Sequence, residues 1–164
     1  MRKNNNNRLL TIIISVYVAG IFSAFLLVKP TTISLSSGGV SIWGIIQTFS
    51  LNYWYVFLIW LFGMSIIGYA LNIFIIYFRG FIYGLLIIFL IKINFSYLLL
   101  VSLVEIVIFI PVFFVLSYQS IMLSYSRSSN NRITINGYNK LLLVVTIVIF
   151  IYSILLEIIG GMYG

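Results

Sequence analysis

Long apolar runs separated by short polar stretches dominate this chain. Five runs, at residues 9–28, 54–77, 79–93, 95–119 and 141–159, have the character of membrane-spanning helices. Crossing a hydrocarbon core of ~30 Å takes about 20 apolar residues at ~1.5 Å each. The third run is short, so it either borrows flanking residues to span completely or forms a re-entrant half-helix. The pattern predicts an all-α polytopic membrane protein with one transmembrane domain over residues 1–164.

Between the first two runs, apolar residues recur at helical spacing from residue 40 to 53. Tryptophan and tyrosine flank this segment, and both residue types concentrate at membrane interfaces. We therefore expect a short interfacial helix here, after the first span. A loop rich in aromatic residues is the alternative.

The first apolar run follows three basic residues, as a signal peptide would. At about twenty residues it is longer than a signal-peptide core of ~7–15, and Lys29 and Pro30 stand where a small-residue cleavage site would be needed. The run therefore predicts a retained helix. Ser15, Ala19 and Ser23 lie four residues apart on one face, as Gly20 and Ala24 do on another, and such spacing favours close helix packing in lipid.

Composition limits the function classes. The chain is 63% hydrophobic and 7% charged, which is too little polar surface for a water-soluble globule. It has no His or Cys, and its only acidic residues are Glu105 and Glu157. Without thiols, imidazoles or paired aspartates we expect no enzyme activity, no cofactor and no metal site. The formal charge of +7 is dispersed over loops and termini, so we expect no nucleic-acid partner.

A row of polar and small residues marks the most informative helix face. Ser65, Gly68, Asn72 and Arg79 stand at offsets of three, seven and fourteen and share one face of a helix. Polar side chains in hydrocarbon face protein or water, so this face is expected to point into a bundle or at a partner. Gly63 is a candidate for helix packing. The candidates for contact with a partner or peptide are Ser65, Gly68, Asn72, Arg79, Gly80, Gly84 and Glu105.

The two carboxylates have different expected roles. Glu105 lies near the middle of the fourth span and is a proton relay, a counter-ion for a cationic partner or a hydrogen-bonded structural residue. Pro111 follows and removes the backbone hydrogen bond to the carbonyl of Val107, which predicts a kink. Glu157 lies close to the outer end of the last span, where a solvated carboxylate is expected.

Basic residues predict the orientation, because they concentrate on the cytoplasmic side of spans. With five complete spans and a cytoplasmic amino terminus, only Lys29 and Lys92 lie outside. The pattern predicts a multi-pass protein of the cell membrane with its carboxyl terminus outside. Seven basic residues are then cytoplasmic: Arg2, Lys3, Arg8, Arg79, Arg127, Arg132 and Lys140.

Residues 52–116 carry a family resemblance. The positions that carry it are Asn52, Trp60-Leu61-Phe62-Gly63, Ile66-Ile67-Gly68, Phe78-Arg79-Gly80-Phe81, Gly84 and Ile110-Pro111. In this order they resemble the core of the stage II sporulation protein M family of membrane proteins. The chain departs from that family at Tyr69, where a proline is common, at Val104-Glu105, where a proline-glutamine pair is frequent, and in its short external segment.

In size, the chain is most similar to the short members of that family encoded with circular bacteriocins. This resemblance implies a non-catalytic membrane subunit in bacteriocin maturation, export or immunity. The implied partners are the lipid bilayer, other small membrane proteins, an ATPase subunit and a cationic hydrophobic peptide. Two alternatives are a scaffold for envelope remodelling, as in sporulation, and a small-ion or solute permease that uses Glu105.

Overall fold

A computed structural model describes residues 2–28, 40–128 and 135–163. Five helices in these ranges are long and apolar enough to cross a membrane, which confirms the all-α polytopic fold class. The fourth of them is built from α4, a π-helical turn and α5. The elements are α1 (Arg2–Leu27), α2 (Ile42–Gly63), α3 (Gly68–Ile93), α4 (Phe95–Val104), the π turn (Glu105–Phe109), α5 (Ile110–Ser128) and α6 (Ile135–Tyr163).

The second helix begins earlier than the hydropathy pattern predicts. Residues 42–53, expected to form a separate interfacial helix, are the first half of α2. Ser41 caps this helix, since its hydroxyl oxygen accepts hydrogen bonds from the backbone N–H groups of Trp43 and Gly44. At ~1.5 Å per residue, α2 is about 33 Å long and can cross a membrane by itself. The prediction of a short interfacial helix is therefore corrected.

A turn at residues 64–67 divides the predicted second span, and Arg79 lies in the middle of α3 instead of between two spans. The turn is fixed by Ser124 of α5. Its hydroxyl donates to the Ser65 carbonyl at 2.6 Å and accepts from the backbone N–H of Tyr69 at 2.9 Å. This support comes from residues far away in the sequence, which a hydropathy pattern does not contain. The number of predicted spans is right, but the boundary between the second and third is wrong.

The later boundaries also shift. The fourth span continues to Ser126, past the predicted end at residue 119, and the fifth begins at Gly137. The Asn136-Gly137 pair, a turn signal in the sequence, lies inside α6. The predicted loop residues 29–39 and 129–134 lie outside the described ranges.

The first helix packs along α3 through glycines. Gly80 of α3 lies directly against the backbone carbonyl of Tyr17, and Gly20 of α1 lies against that of Tyr77. A Cβ atom added at Gly84 would lie 2.7 Å from the Cβ of Ala24. Any larger side chain would separate the two backbones. The glycines therefore permit the close approach.

The small-residue row predicted to pack α1 lies on a different face. Ser15 and Ala19 are exposed and Ser23 is half-buried, whereas Gly20 and Ala24 are buried. The hydroxyl of Ser23 donates to the Ala19 carbonyl of its own helix at 2.8 Å. The prediction that Ser15, Ala19 and Ser23 pack helices together is therefore wrong for contacts within this chain. Spacing alone identifies a face but not which face the neighbouring helix covers.

Candidate functional site

Two opposite charges meet in the interior of the bundle. Arg79 stands eleven residues after Gly68, the first residue of α3, and Glu105 stands ten residues after Phe95, the first of α4. The Arg79 Nη2 atom lies 2.6 Å from the Glu105 Oε1 atom. Their side chains are 5% and 1% exposed. Burial strengthens their attraction but also makes an unpaired charge costly, so each group depends on the other.

Two further helices add polar partners to this ion pair. Arg79 Nη2 also donates to the Asn52 Oδ1 atom of α2 at 3.2 Å. The Tyr152 hydroxyl of α6 donates to the other carboxylate oxygen, Oε2, of Glu105. We call Asn52, Arg79, Glu105 and Tyr152 the charged cluster. It joins α2, α3, the fourth span and α6 at one depth.

Aromatic rings lie beside the guanidinium group of this cluster. The Cζ atom of Arg79 is 4.3 Å from the ring centroid of Phe109 and 5.9 Å from that of Tyr55. Cations near ring faces at these distances are attracted by the ring quadrupole. Phe109 also contacts the ring of Tyr152, with centroids 5.2 Å apart. The rings add attraction to the charge while keeping its surroundings apolar.

The backbone carrying Glu105 is irregular. Residues Glu105–Phe109 form a π turn, in which the Ile110 N–H donates to the Glu105 carbonyl. Pro111 has no N–H to offer the Val107 carbonyl, so regular α-helical bonding is interrupted where the sequence predicts a kink. π turns occur frequently at functional sites. Here the turn carries two residues, Glu105 and Phe109, that both contact Arg79.

The contacts of the charged cluster are hydrogen bonds and one ion pair. Both oxygens of Glu105 already accept hydrogen bonds, from Arg79 and Tyr152. Among the described residues, no group of three His, Cys, Asp or Glu side chains is placed to hold a metal ion. Four buried side-chain atoms in that part of the chain have no hydrogen-bond partner: Arg79 Nε, the Tyr17 hydroxyl, Trp60 Nε1 and Asn72 Oδ1. The cluster can fasten helices together and stabilise one arrangement of them.

A second polar region lies at the end of α2. Ser120 of α5 donates to the Ile59 carbonyl at 2.6 Å and accepts from the Asn72 side-chain amide at 2.5 Å. The Tyr138 hydroxyl donates to the Trp60 carbonyl at 3.1 Å. Trp60 is one of the last four residues of α2, whose carbonyls have no partner within the helix, so the Tyr138 hydroxyl satisfies one of them. Four side chains form what we call the serine seam: Asn72, Ser120, Ser124 and Tyr138.

The sequence interpretation named every member of the charged cluster except Tyr152, but only Asn72 of the serine seam. Ser120 and Ser124 fell in the predicted loop, and Tyr138 was given no role. A signal was present, because Ser117, Ser120 and Ser124 recur at helical spacing in an apolar run. No comparable signal paired Tyr152 with Glu105.

The predicted contact residues lie mostly inside the bundle. Six of the seven are buried among helices of this chain: Gly68, Asn72, Arg79, Gly80, Gly84 and Glu105. Gly63 is buried too, against Tyr138 and Ser120, while Ser65 is exposed in the turn. A buried side chain has no surface for a partner in this conformation. The polar face therefore points into the bundle, one of the two arrangements that the sequence left open, and the six make contacts within the chain. Contact of these residues with a partner or peptide stays a prediction.

Glu157 is also placed differently from expectation. Its Oε1 atom accepts from the backbone N–H of Ser41 at 3.2 Å, and its carboxylate lies directly against Gly44. These residues form the amino end of α2, where backbone N–H groups and the helix dipole favour a negative charge. Glu157 thus links α6 to the start of α2 through an exposed hydrogen bond that the sequence did not predict.

The fold and these contacts define a multi-pass helical membrane protein with a buried ion pair. In comparisons with known proteins, no family model, no curated protein and no solved structure matches this chain.

Proposed function

We propose that this chain is a non-catalytic membrane subunit of a complex for circular bacteriocin maturation, export or immunity. The resemblance over residues 52–116 supports the biological process. The pairing of Arg79 with Glu105 supports the non-catalytic role. A proton relay or permeation site needs an ionisable group that a proton or ligand can reach. Here both carboxylate oxygens of Glu105 are held by protein groups.

In this proposal the bundle is a scaffold. The charged cluster fastens four spans together, so the interior has a fixed arrangement and the outer surfaces remain for partners. The proposed partners are lipid, other small membrane proteins, a cytoplasmic ATPase subunit and a cationic hydrophobic peptide. None of these contacts needs a reactive group on the chain.

We further propose a cell-membrane orientation with the amino terminus in the cytoplasm and the carboxyl terminus outside. Arg79 is not counted among the cytoplasmic basic residues that support this orientation, because it is buried at mid-span. Lys29 and Lys92 remain on the outer side. Six basic residues lie, by sequence position, at or near the cytoplasmic span ends: Arg2, Lys3, Arg8, Arg127, Arg132 and Lys140. A carboxyl-terminal alkaline phosphatase fusion should be active and a fluorescent protein fusion dark, and the reverse result would contradict this orientation.

Gene deletion in a bacteriocin-producing strain tests the function. We expect loss of mature circular peptide outside the cell, or loss of tolerance to it, with restoration by the wild-type gene. Unchanged peptide and unchanged tolerance would exclude the proposal.

A paired replacement separates the scaffold from a permease. The variant R79M/E105L removes both charges and leaves no unpaired ion, so its abundance in the membrane should stay close to wild type. A scaffold with this variant should still restore peptide production. If the variant accumulates normally but fails to restore production, Glu105 or Arg79 has a chemical role and the non-catalytic assignment is wrong.

A further inference from the structure

The second helix has two stripes of residues on opposite faces. One stripe faces the bundle and includes the buried residues Val56, Ile59 and Gly63. The other is offset from it by two residues, about 200° around a helix. We call the second set the outer stripe. It consists of Trp43, Gln47, Ser50, Trp54, Phe57 and Leu61.

The outer stripe is exposed along its length. Trp43 is 73% exposed, Trp54 59% and Leu61 42%. Gln47 and Ser50 are also exposed, and Phe57 is half-exposed. Successive members are separated alternately by four and three residues. That repeat averages 3.5 residues, the spacing of a seam between two helices that wrap around each other.

Polar groups on the outer stripe lie within the span. Counted from Ile42 at ~1.5 Å per residue, Gln47 is about 7.5 Å, Ser50 about 12 Å and Trp54 about 18 Å along the helix. No hydrogen bond within the described ranges satisfies the Gln47 amide or the Ser50 hydroxyl. Trp54 is close to mid-span, whereas tryptophans facing lipid concentrate at the interfaces. Polar groups without partners are costly in hydrocarbon, so these positions favour a protein neighbour.

We propose that the outer stripe of α2 binds the same stripe of a second copy of this chain. A two-fold axis along the membrane normal would set the two α2 helices side by side and parallel, with each residue near its equivalent. A glutamine amide has both donors and an acceptor, and a serine hydroxyl has both as well, so each can satisfy its own copy. The stripe carries no charge that would repel an identical surface. The proposal does not depend on the bacteriocin assignment.

Cysteine cross-linking tests the pairing directly, because the chain has no cysteine of its own. The test variant is Ser50→Cys and the matched control is Leu103→Cys, on the exposed face of α4. Each position is eight residues after the first residue of its helix, Ile42 or Phe95. The two cysteines should lie at the same depth in the membrane. Asn52 and Glu105 each stand ten residues after the first residue of their helix, and both contact Arg79, so the two helices are aligned in depth.

The purified full-length variants should be reconstituted in liposomes at a low protein-to-lipid ratio and oxidised. We expect a disulfide-linked dimer for Ser50→Cys and only a collisional background for Leu103→Cys. Adding Gln47→Leu to the Ser50→Cys variant should weaken dimerisation by about threefold, the effect of one average interhelical hydrogen bond. Because Gln47 faces outward, the thermal stability of the monomer should be unchanged.

Three results would overturn the proposal. Equal cross-linking of the test and control variants would show collision instead of binding. Absence of a dimer in the Ser50→Cys variant, with the protein folded, would show that this face does not pair with itself. In cell membranes, cross-linking of Ser50→Cys to a protein of another mass, without dimer, would assign the outer stripe to a different partner.

Discussion

Arg79 and Gly80 are neighbours in the sequence, yet they hold α3 in the bundle by different physical means. Arg79 reaches α2 and the fourth span through hydrogen bonds and an ion pair. Gly80 offers only the absence of a side chain, which lets the Tyr17 backbone of α1 lie directly against it. Helices in lipid gain little from hydrophobic burial, so both means are needed. One depends on charge balance and the other on volume.

This difference determines which substitutions the Arg79 contacts and the Gly80 contact should each tolerate. The charged cluster should accept the loss of both charges but not of one, because a lone buried charge lacks compensation. The glycine contact should be insensitive to charge but sensitive to a single methyl group, because no space separates the two backbones.

The largest loss of stability, measured as the free energy of unfolding, is expected for Arg79→Met, which leaves Glu105 buried without its counter-ion. Removing one partner of a buried pair costs about 3–5 kcal/mol. Reversible unfolding in mixed detergent micelles would measure this change in the free energy of unfolding.

The control for charge balance is the double variant R79M/E105L. It should regain most of the stability lost by Arg79→Met, because the two apolar side chains leave no unpaired charge. If the losses for the single variants simply added in the double variant, the ion pair would not be the source of the effect.

Gly80→Ala should lower the free energy of unfolding by less than Arg79→Met does, by about 1–3 kcal/mol, which is the range for overpacked cores. An added Cβ would overlap the Tyr17 carbonyl, so α1 must move away from α3. The matched control is Gly137→Ala in α6, where no atom of the described residues outside its own helix backbone lies within 4 Å of an added Cβ. That change should be neutral or stabilise the helix by up to about 1 kcal/mol. Equal effects at the two glycines would contradict a packing role for Gly80.

The features of the fold that depend on local spacing were predictable from the sequence. Apolar run lengths predicted five spans, and the offset of seven residues between Asn72 and Arg79 placed both on one face. The pairing of Arg79 with Glu105 was not predictable from spacing, because 26 residues separate them and Glu105 was equally compatible with a proton relay or an external partner.

The predictions that failed concern contacts between distant segments. Arg79 was placed at the cytoplasmic start of the third span because a charge between two apolar runs usually marks a membrane boundary. Its true position depends on Glu105, which allows a charge at mid-span. The break at residues 64–67 likewise depends on Ser124, 59 residues after Ser65. A hydropathy pattern contains neither partner.

Tyr152→Phe separates the contributions within the charged cluster, because it removes one hydrogen bond and leaves the ion pair intact. The Glu105 carboxylate would lose one donor but keep Arg79. Interhelical hydrogen bonds in membranes reach about 1.7 kcal/mol at most, so the loss should stay within that limit. A loss as large as that of Arg79→Met would mean that Tyr152, and not Arg79, is the main partner of Glu105.

The smallest effect is expected at Ser124, which fastens the α2–α3 turn through neither charge nor volume. Ser124→Ala removes the hydroxyl contacts to the Ser65 carbonyl and the Tyr69 N–H. It should lower the free energy of unfolding by about 1.2 kcal/mol, since one such bond in a membrane contributes about 0.6 kcal/mol on average. The matched control is Ser117→Ala on the same helix, since among the described residues that buried hydroxyl bonds only to the Phe113 carbonyl of its own helix. If Ser117→Ala cost as much as Ser124→Ala, the turn would owe nothing to the serine seam. A measurable difference would show that one hydroxyl group helps to set where the second span ends and the third begins.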